Sequence, residues 1–347
     1  MTTRRGRQGA RNARAGASSR PAIDGSDGRL GGAFLGTAPE SLERAAAAEA
    51  WLSTRLDVQT VFEPWATAPA AIDDLFDRLG TLWDAGRTPL LTWEPYTRTP
   101  AETPDDLLDR LVRGGYDEYL SRWGRSLAAW LAGPDGEHDT DDDRGLLLRP
   151  MHEPNGDWYP WAPAAAGVPA TTYVRAWRRI HRIVTDELPA GAAVSWVWAV
   201  NHVDVGDVRA EALFPGDDVV DWAGVDGFNW GTSQPWSEWH SPEEVFGPML
   251  VRIAACTTRP LCVPEFGCGS ERMDGSDPDA KSAWLAAAFE LFGDRDVRLA
   301  SYFGTDKETD WAVFGGEHGA NTFRIGGTPY RTYPGFRRGY LAFVDRD

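Results

Sequence analysis

Residues 146–161 read Leu-Leu-Leu-Arg-Pro-Met-His-Glu-Pro-Asn-Gly-Asp-Trp-Tyr-Pro-Trp, from Leu146 to Trp161. Three consecutive leucines form a buried strand, and the Pro- and Gly-containing segment after them is a turn. A histidine, a carboxylate and three large rings, Trp158, Tyr159 and Trp161, therefore gather at one strand end. Flat aromatic faces suit the apolar faces of sugar rings. A carboxyl group enclosed by them is poorly solvated, which raises its pKa as a general acid working near neutrality requires. A surface turn with an ordinary glutamate would account for the same residues taken alone. The rest of the chain decides between the two.

Outward from this stretch, one pattern repeats: a short apolar run, a polar loop, an amphipathic helix. Strands are expected near 32–35, 58–62, 89–93, 146–148, 193–200, 219–228, 260–266 and 298–303. Helices are expected near 40–52, 170–188, 242–255 and 277–292. A further helix carries Ile72, Leu75, Phe76, Leu79 and Trp83 at 3- and 4-residue spacing. A long helical region, 104–131, is expected to break at Gly114-Gly115. Eight strand–helix units, with extra structure after the eighth strand, define an α/β chain folded as a (β/α)8 TIM barrel. The competing architecture is an open doubly wound sheet, and no Gly-rich phosphate loop supports it.

Composition narrows the function. The chain has 347 residues and a net charge of −17, and of its 35 basic residues only Lys281 and Lys307 are lysines. Such acidity repels phosphate and argues against nucleic acid as a partner. It fits a protein kept soluble in high salt, although GC-rich coding also favours Arg over Lys. No apolar run approaches the about 18 residues of a membrane span. Cys256, Cys262 and Cys268 match no metal or redox spacing and are expected to be free. The acidic run Asp139–Asp143 begins like a calcium loop, but Arg144 and Pro150 stand where Gly and Glu are needed. Residues 1–28 are expected to be a basic disordered tail, with a single catalytic domain over 29–347. Arg4-Arg5 is followed by no apolar segment, so an export signal of the twin-arginine kind is not expected. Seventeen tryptophans are more than a core needs and suggest stacking surfaces for a ligand; the alternative is that most of them fill a large core.

In a barrel the active site lies at the carboxyl ends of the strands. The fourth strand brings Arg149, His152 and Glu153 there, the fifth Asn201, the sixth Asp226, Phe228 and Trp230, and the seventh Glu265. Alternation along the seventh strand would turn Val263 inward with Glu265 and Cys262 outward. Two glutamates on separate strand ends among aromatic rings suit glycoside hydrolysis. Arg149, if it reaches Glu265, would hold that carboxylate ionised; an ion pair or carbonyl contacts without catalytic meaning would explain it equally.

The run His152-Glu153-Pro154-Asn155-Gly156-Asp157-Trp158-Tyr159-Pro160-Trp161 resembles the family 26 glycoside hydrolases, chiefly endo-β-1,4-mannanases with some β-glucanases and β-xylanases. The Pro264-Glu265-Phe266-Gly267 segment and the region from Phe214 to Trp230 are similar too. The resemblance implies that Glu153 is the acid/base and Glu265 the nucleophile, with His152 and Trp158 lining the sugar subsite beside the scissile bond. Arg149, Asn201, Phe228, Trp230, Trp93 and Tyr302 are further candidates for substrate contact, Tyr302 as the aromatic platform of the eighth strand, with core packing as its alternative. One departure stands out: Phe228 occupies a position where the family usually has a tyrosine whose hydroxyl reaches the nucleophile, and Phe cannot donate.

The implied reaction is double displacement with retention, by carboxyl groups about 5–5.5 Å apart, without cofactor or metal. The expected partner is a polysaccharide, β-1,4-mannan ahead of β-1,3-1,4-glucan and β-xylan as alternatives, and the chain is expected to act as a monomer. A barrel that binds glycan without cleaving it is the alternative of a different class. Localisation stays open, because a polymer substrate implies export.

Overall fold

The computed structural model describes residues 22–26, 28–37, 40–65, 69–97, 99 and 102–345. Eight parallel strands close into a barrel: β1 (Leu30–Phe34), β2 (Val58–Pro64), β3 (Thr88–Glu94), β4 (Leu146–Pro150), β5 (Val194–Asn201), β6 (Trp222–Asn229), β7 (Leu261–Cys268) and β8 (Val297–Phe303). Each pairs with its sequence neighbours, and β8 returns to β1. The (β/α)8 architecture is therefore present.

The crossovers are α1 (Glu40–Leu52), α2 (Pro69–Asp84), α3 (Leu107–Arg113), α4 (Asp117–Leu131), the single turn α5 (Pro163–Ala166), α6 (Ala170–Thr185), α7 (Pro242–Cys256) and α8 (Pro278–Asp294). The break expected at Gly114-Gly115 is there. Gly114 takes φ +90°, which only glycine adopts readily, and its N–H turns back to the last turn of α3. Helix α7 starts at a reciprocal cap between Ser241 and Glu244 with Pro242 in its first turn. The regular strand–helix count fails once. Between β5 and β6 there is only a 3-10 turn, Ala210–Leu213. A hairpin (β9, Asn321–Ile325; β10, Thr328–Thr332) and α9 (Pro334–Val344) follow the barrel.

Two apolar layers hold the barrel. The outer one packs strands against helices and takes most of the tryptophans: Trp93 stacks on Trp123 at 4.1 Å, and both are wholly buried. The inner one draws one residue from each strand, from Leu30 on β1 to Leu299 on β8, with Trp222 its largest member. Ile23 packs beneath this layer, and its carbonyl accepts from the Trp222 indole at 3.0 Å. Gly25 lies so close to that ring that a Cβ would stand 2.6 Å from it. Residues 22–26 thus belong to the barrel floor rather than to a tail ending at 28. Residues 1–21 lie outside the described residues.

Side-chain alternation carries the inner face upward. Two residues above the apolar layer, Thr60 bonds Ser301 at 2.7 Å and Thr92 meets Arg149. Two residues higher again, Phe34, Phe62, Glu94, Asn201 and Phe303 line an open cleft, with Phe228 beside them. Strand β7 breaks the rule. Cys262 belongs to the inner layer and Val263 to the outer one, the reverse of the alternation expected from Glu265. The cause is a bulge. From Gly224 to Gly227 on β6 there are three steps, but their partners run from Cys262 to Phe266, which is four. Pro264 sits within the extra step, where it has no N–H to offer the ladder.

Candidate active site

The turn after β4 is folded tightly. Met151 and Glu153 both take positive φ, 46° and 50°, a costly conformation for residues with a Cβ, which the surrounding contacts must hold. Glu153 N donates to Ala199 O at 2.9 Å. Tyr173 Oη donates to Met151 O at 3.0 Å, and Trp161 Nε1 to His152 O at 2.7 Å. Asn155 staples the turn to β5: its amide donates to Asn201 O and its Oδ1 accepts from Asn201 N. Tyr159 stacks on Trp161 at 4.4 Å. Much of the aromatic character of this motif therefore serves to fix the turn.

The result is a Glu153 carboxyl held from both sides. Asn201 Nδ2 donates to Oε1 and Trp158 Nε1 to Oε2, each at 2.9 Å. Trp158 reaches it by lying over Gly156, where a Cβ would stand 2.5 Å from the indole. These donors favour the carboxylate, but burial and the nearby Glu265 outweigh them and push the Glu153 pKa up to about 7.

Glu265 faces the same cleft and is paired with Arg149 Nη2 at 2.7 Å. Arg149 is wholly buried within the barrel. Its Nη1 bonds both oxygens of Asp226, at 2.8 and 2.9 Å, and its Nε bonds Thr92 Oγ1 at 2.9 Å. Among the described residues Arg149 makes the hydrogen bond to the Glu265 side chain. Phe228 makes none and instead packs edge-on against Trp311 at 5.1 Å. The hydrogen bond to Glu265 thus comes from a buried guanidinium and not from residue 228.

The cleft has a volume of about 850 Å³. Of the expected substrate contacts, Trp158, Asn201, Phe228 and Trp230 line it together with Glu153 and Glu265. Four expectations need correction. Trp93 is wholly buried in the outer aromatic layer, because its position on β3 has the parity that faces the helices. Tyr302 is likewise buried, and its hydroxyl donates to Trp311 O at 2.7 Å. Arg149 lies under the floor. His152 is buried behind Tyr159, whose hydroxyl it meets at 2.9 Å; burial and the Arg149 charge lower its pKa well below the ordinary value, so it is neutral.

Other residues enter the site without having been singled out in the sequence. Phe34, Phe62, Phe303 and Glu94 follow from strand parity alone. Glu94 accepts no side-chain hydrogen bond from the described residues, and burial and the Glu265 charge push its pKa up to about 7. Trp311 is the aromatic that follows β8 into the cleft, on a loop whose position the sequence does not announce. It is held from behind by Tyr302 and by Lys281, whose buried ammonium serves the carbonyls of Asp310, Trp311 and Ala312. Four of the seventeen tryptophans line the cleft: Trp158, Trp230, Trp236 and Trp311.

Residues 93–255 match the sequence profile of glycosyl hydrolase family 26. Endoglucanase H of Acetivibrio thermocellus is 30% identical over 290 residues, 81% of this chain and 28% of that protein. The chain belongs to glycosyl hydrolase family 26. A β-1,3-xylanase of Alcaligenes sp. is 23% identical over 181 residues, 49% of this family 26 chain and 36% of the xylanase. The chain thus spans well under half the length of either relative. A family 26 β-mannanase from Bacteroides ovatus superposes with a TM-score of 0.59 at 15% identity, over 93% of this chain and 90% of that one. At that identity the likeness speaks for the shared barrel.

Proposed function

We propose that the chain hydrolyses internal β-1,4 linkages of a hexose polysaccharide by double displacement with retention of anomeric configuration. The observation that carries this is one cleft with two carboxyl groups in opposite settings: Glu153 desolvated and protonated up to about pH 7, Glu265 paired with the Arg149 guanidinium. Glu265 attacks the anomeric carbon while Glu153 gives its proton to the departing oxygen. Glu153, now ionised, takes a proton from the water that releases the glycosyl–enzyme ester.

Mannan is the substrate the motif resemblance implies. A second reading, β-glucan, is favoured by the 30% identity with a protein named an endoglucanase. Wild type, Glu153→Ala and Glu265→Ala are assayed on β-mannan, mixed-linkage β-glucan and β-xylan for new reducing ends. Proton NMR of the first product reads its anomer. The expected result is release by wild type alone on one of these polymers, with the β-anomer formed first. Retention of binding without any release supports a glycan-binding barrel instead, and the α-anomer would mean inversion by carboxyl groups farther apart than about 5.5 Å.

A further inference from the structure

Trp236 is the most exposed tryptophan of the cleft wall, at 70%. A large apolar ring left in water on a loose loop would mean little, but this loop is tightly held. The buried Asn229 Oδ1 at the end of β6 accepts from Gly231 N at 3.3 Å and His240 N at 3.1 Å, closing both ends of the loop. Ser237 Oγ donates across it to Gly231 O at 2.8 Å. Trp284 Nε1 donates to His240 O at 2.8 Å. Trp230 packs edge-on against Trp236 at 5.3 Å and fixes one side of the ring. The indole is thus presented to solvent by a braced support, next to Ser237, Glu238 and His240, which bring hydroxyl-binding groups to the same wall.

The cleft has two flanks. One is formed by the ends of β1, β2, β3 and β8, the other by the ends of β5 and β6 and the loop of Trp236. Glu153 is tied to the second flank through Asn201 on β5. On the proposed retaining mechanism, the sugar that departs with the Glu153 proton lies on the flank of its donor. We propose that Trp236 is the stacking platform of a leaving-group subsite, which takes a pyranose of the departing chain against the open indole, with Ser237, Glu238 and His240 as partners for its hydroxyls. The proposal rests on the hydrolytic reading and adds to it where along the cleft the polymer is held.

The test compares two substrate types on wild type, Trp236→Ala and Trp236→Phe: the polysaccharide found active, and a nitrophenyl β-glycoside of the matching trisaccharide, whose leaving group is the aryl ring alone. Wild-type release of reducing ends is read first and tests the hydrolytic reading by itself. For Trp236→Ala, kcat/KM on the polymer is expected to fall about tenfold further than on the aryl glycoside, the loss of one ring contact. Trp236→Phe is expected to recover much of that difference. Equal losses on both substrates, or an unchanged ratio, overturn the subsite while leaving the hydrolase in place.

Discussion

Glu265 receives its hydrogen bond from Arg149 at 2.7 Å, and Arg149 has little freedom to withdraw it. Its other nitrogens are committed to Asp226 and Thr92. The orientation of the candidate nucleophile is therefore set from beneath, by a planar fork that lysine cannot copy.

Removing that fork strands two carboxylates inside the barrel. Arg149→Ala is expected to lower the unfolding free energy by about 3–5 kcal/mol, the usual loss when one partner of a buried pair is deleted. Urea denaturation measures it. Arg149→Lys keeps the charge but not the geometry, and kcat is expected to fall more than KM changes; intact kcat in that variant would dismiss the fork as a positioning device.

A general acid with a pKa raised to about 7 works while protonated, so the rate should decline as pH rises through about 7. Asn201 donates to the ionised form of Glu153, so Asn201→Ala is expected to move that basic limb upward. Glu94 titrates in the same range, and Glu94→Gln separates the two: the limb should persist there. A limb that vanishes in Glu94→Gln would assign it to the wrong carboxyl.

The leaving group offers an independent check on Glu153. Glu153→Ala is expected to lose about 10²- to 10⁴-fold in rate on polysaccharide, and much less on a dinitrophenyl glycoside, whose phenolate departs without a proton. Glu265→Ala should fail on both. Similar losses for Glu153→Ala on the two substrates would deny it the role of acid.

Tyr302 touches no cleft surface but tethers the carbonyl of Trp311. Tyr302→Phe is expected to cost about 0.5–1.5 kcal/mol of stability, the loss of one of two donors to the Trp311 carbonyl, Lys281 keeping the other. KM should rise more than kcat falls, because the cleft aromatic loses the shorter of its two tethers and the carboxyl groups lose none. Thermal unfolding and steady-state kinetics on the same sample read the two effects.

Asp57 ties β1 to the barrel by accepting from Gly31 N at 3.0 Å, and burial pushes its pKa up to about 6. A carboxyl whose folded pKa is raised binds its proton more tightly when folded. Its contribution is present in full below the unfolded pKa and is lost as pH rises through the folded one. Asp57→Asn is thus expected to flatten the fall in melting temperature between about pH 4 and pH 6. An unaltered slope would assign that dependence to other groups.

The barrel is readable in the sequence because its periods are strong. Leu30, Val58, Leu90 and Leu299 mark the inner parity of their strands, and the spacing of Ile72, Leu75, Phe76 and Leu79 marks a helix. The same parity brings Phe34, Phe62, Glu94 and Phe303 to the cleft by residue counting alone. Trp93 is easily misplaced because a ring near a strand end looks the same whichever face it takes. Tyr302 deceives for the same reason, and the ring that does enter the cleft, Trp311, sits on a loop with no period to count. The inward turn of Cys262 is hidden because a bulge leaves no mark in composition beyond Pro264, and prolines also occur at strand edges and in turns.

That bulge matters to anyone redesigning the chain. An uninterrupted β7 would send Phe266 into the hollow and leave Glu265 among the helices. The proposed nucleophile is thus aimed by an irregularity, and smoothing the strand, which ordinary stabilisation schemes would recommend, would turn it out of the cleft while leaving the barrel intact.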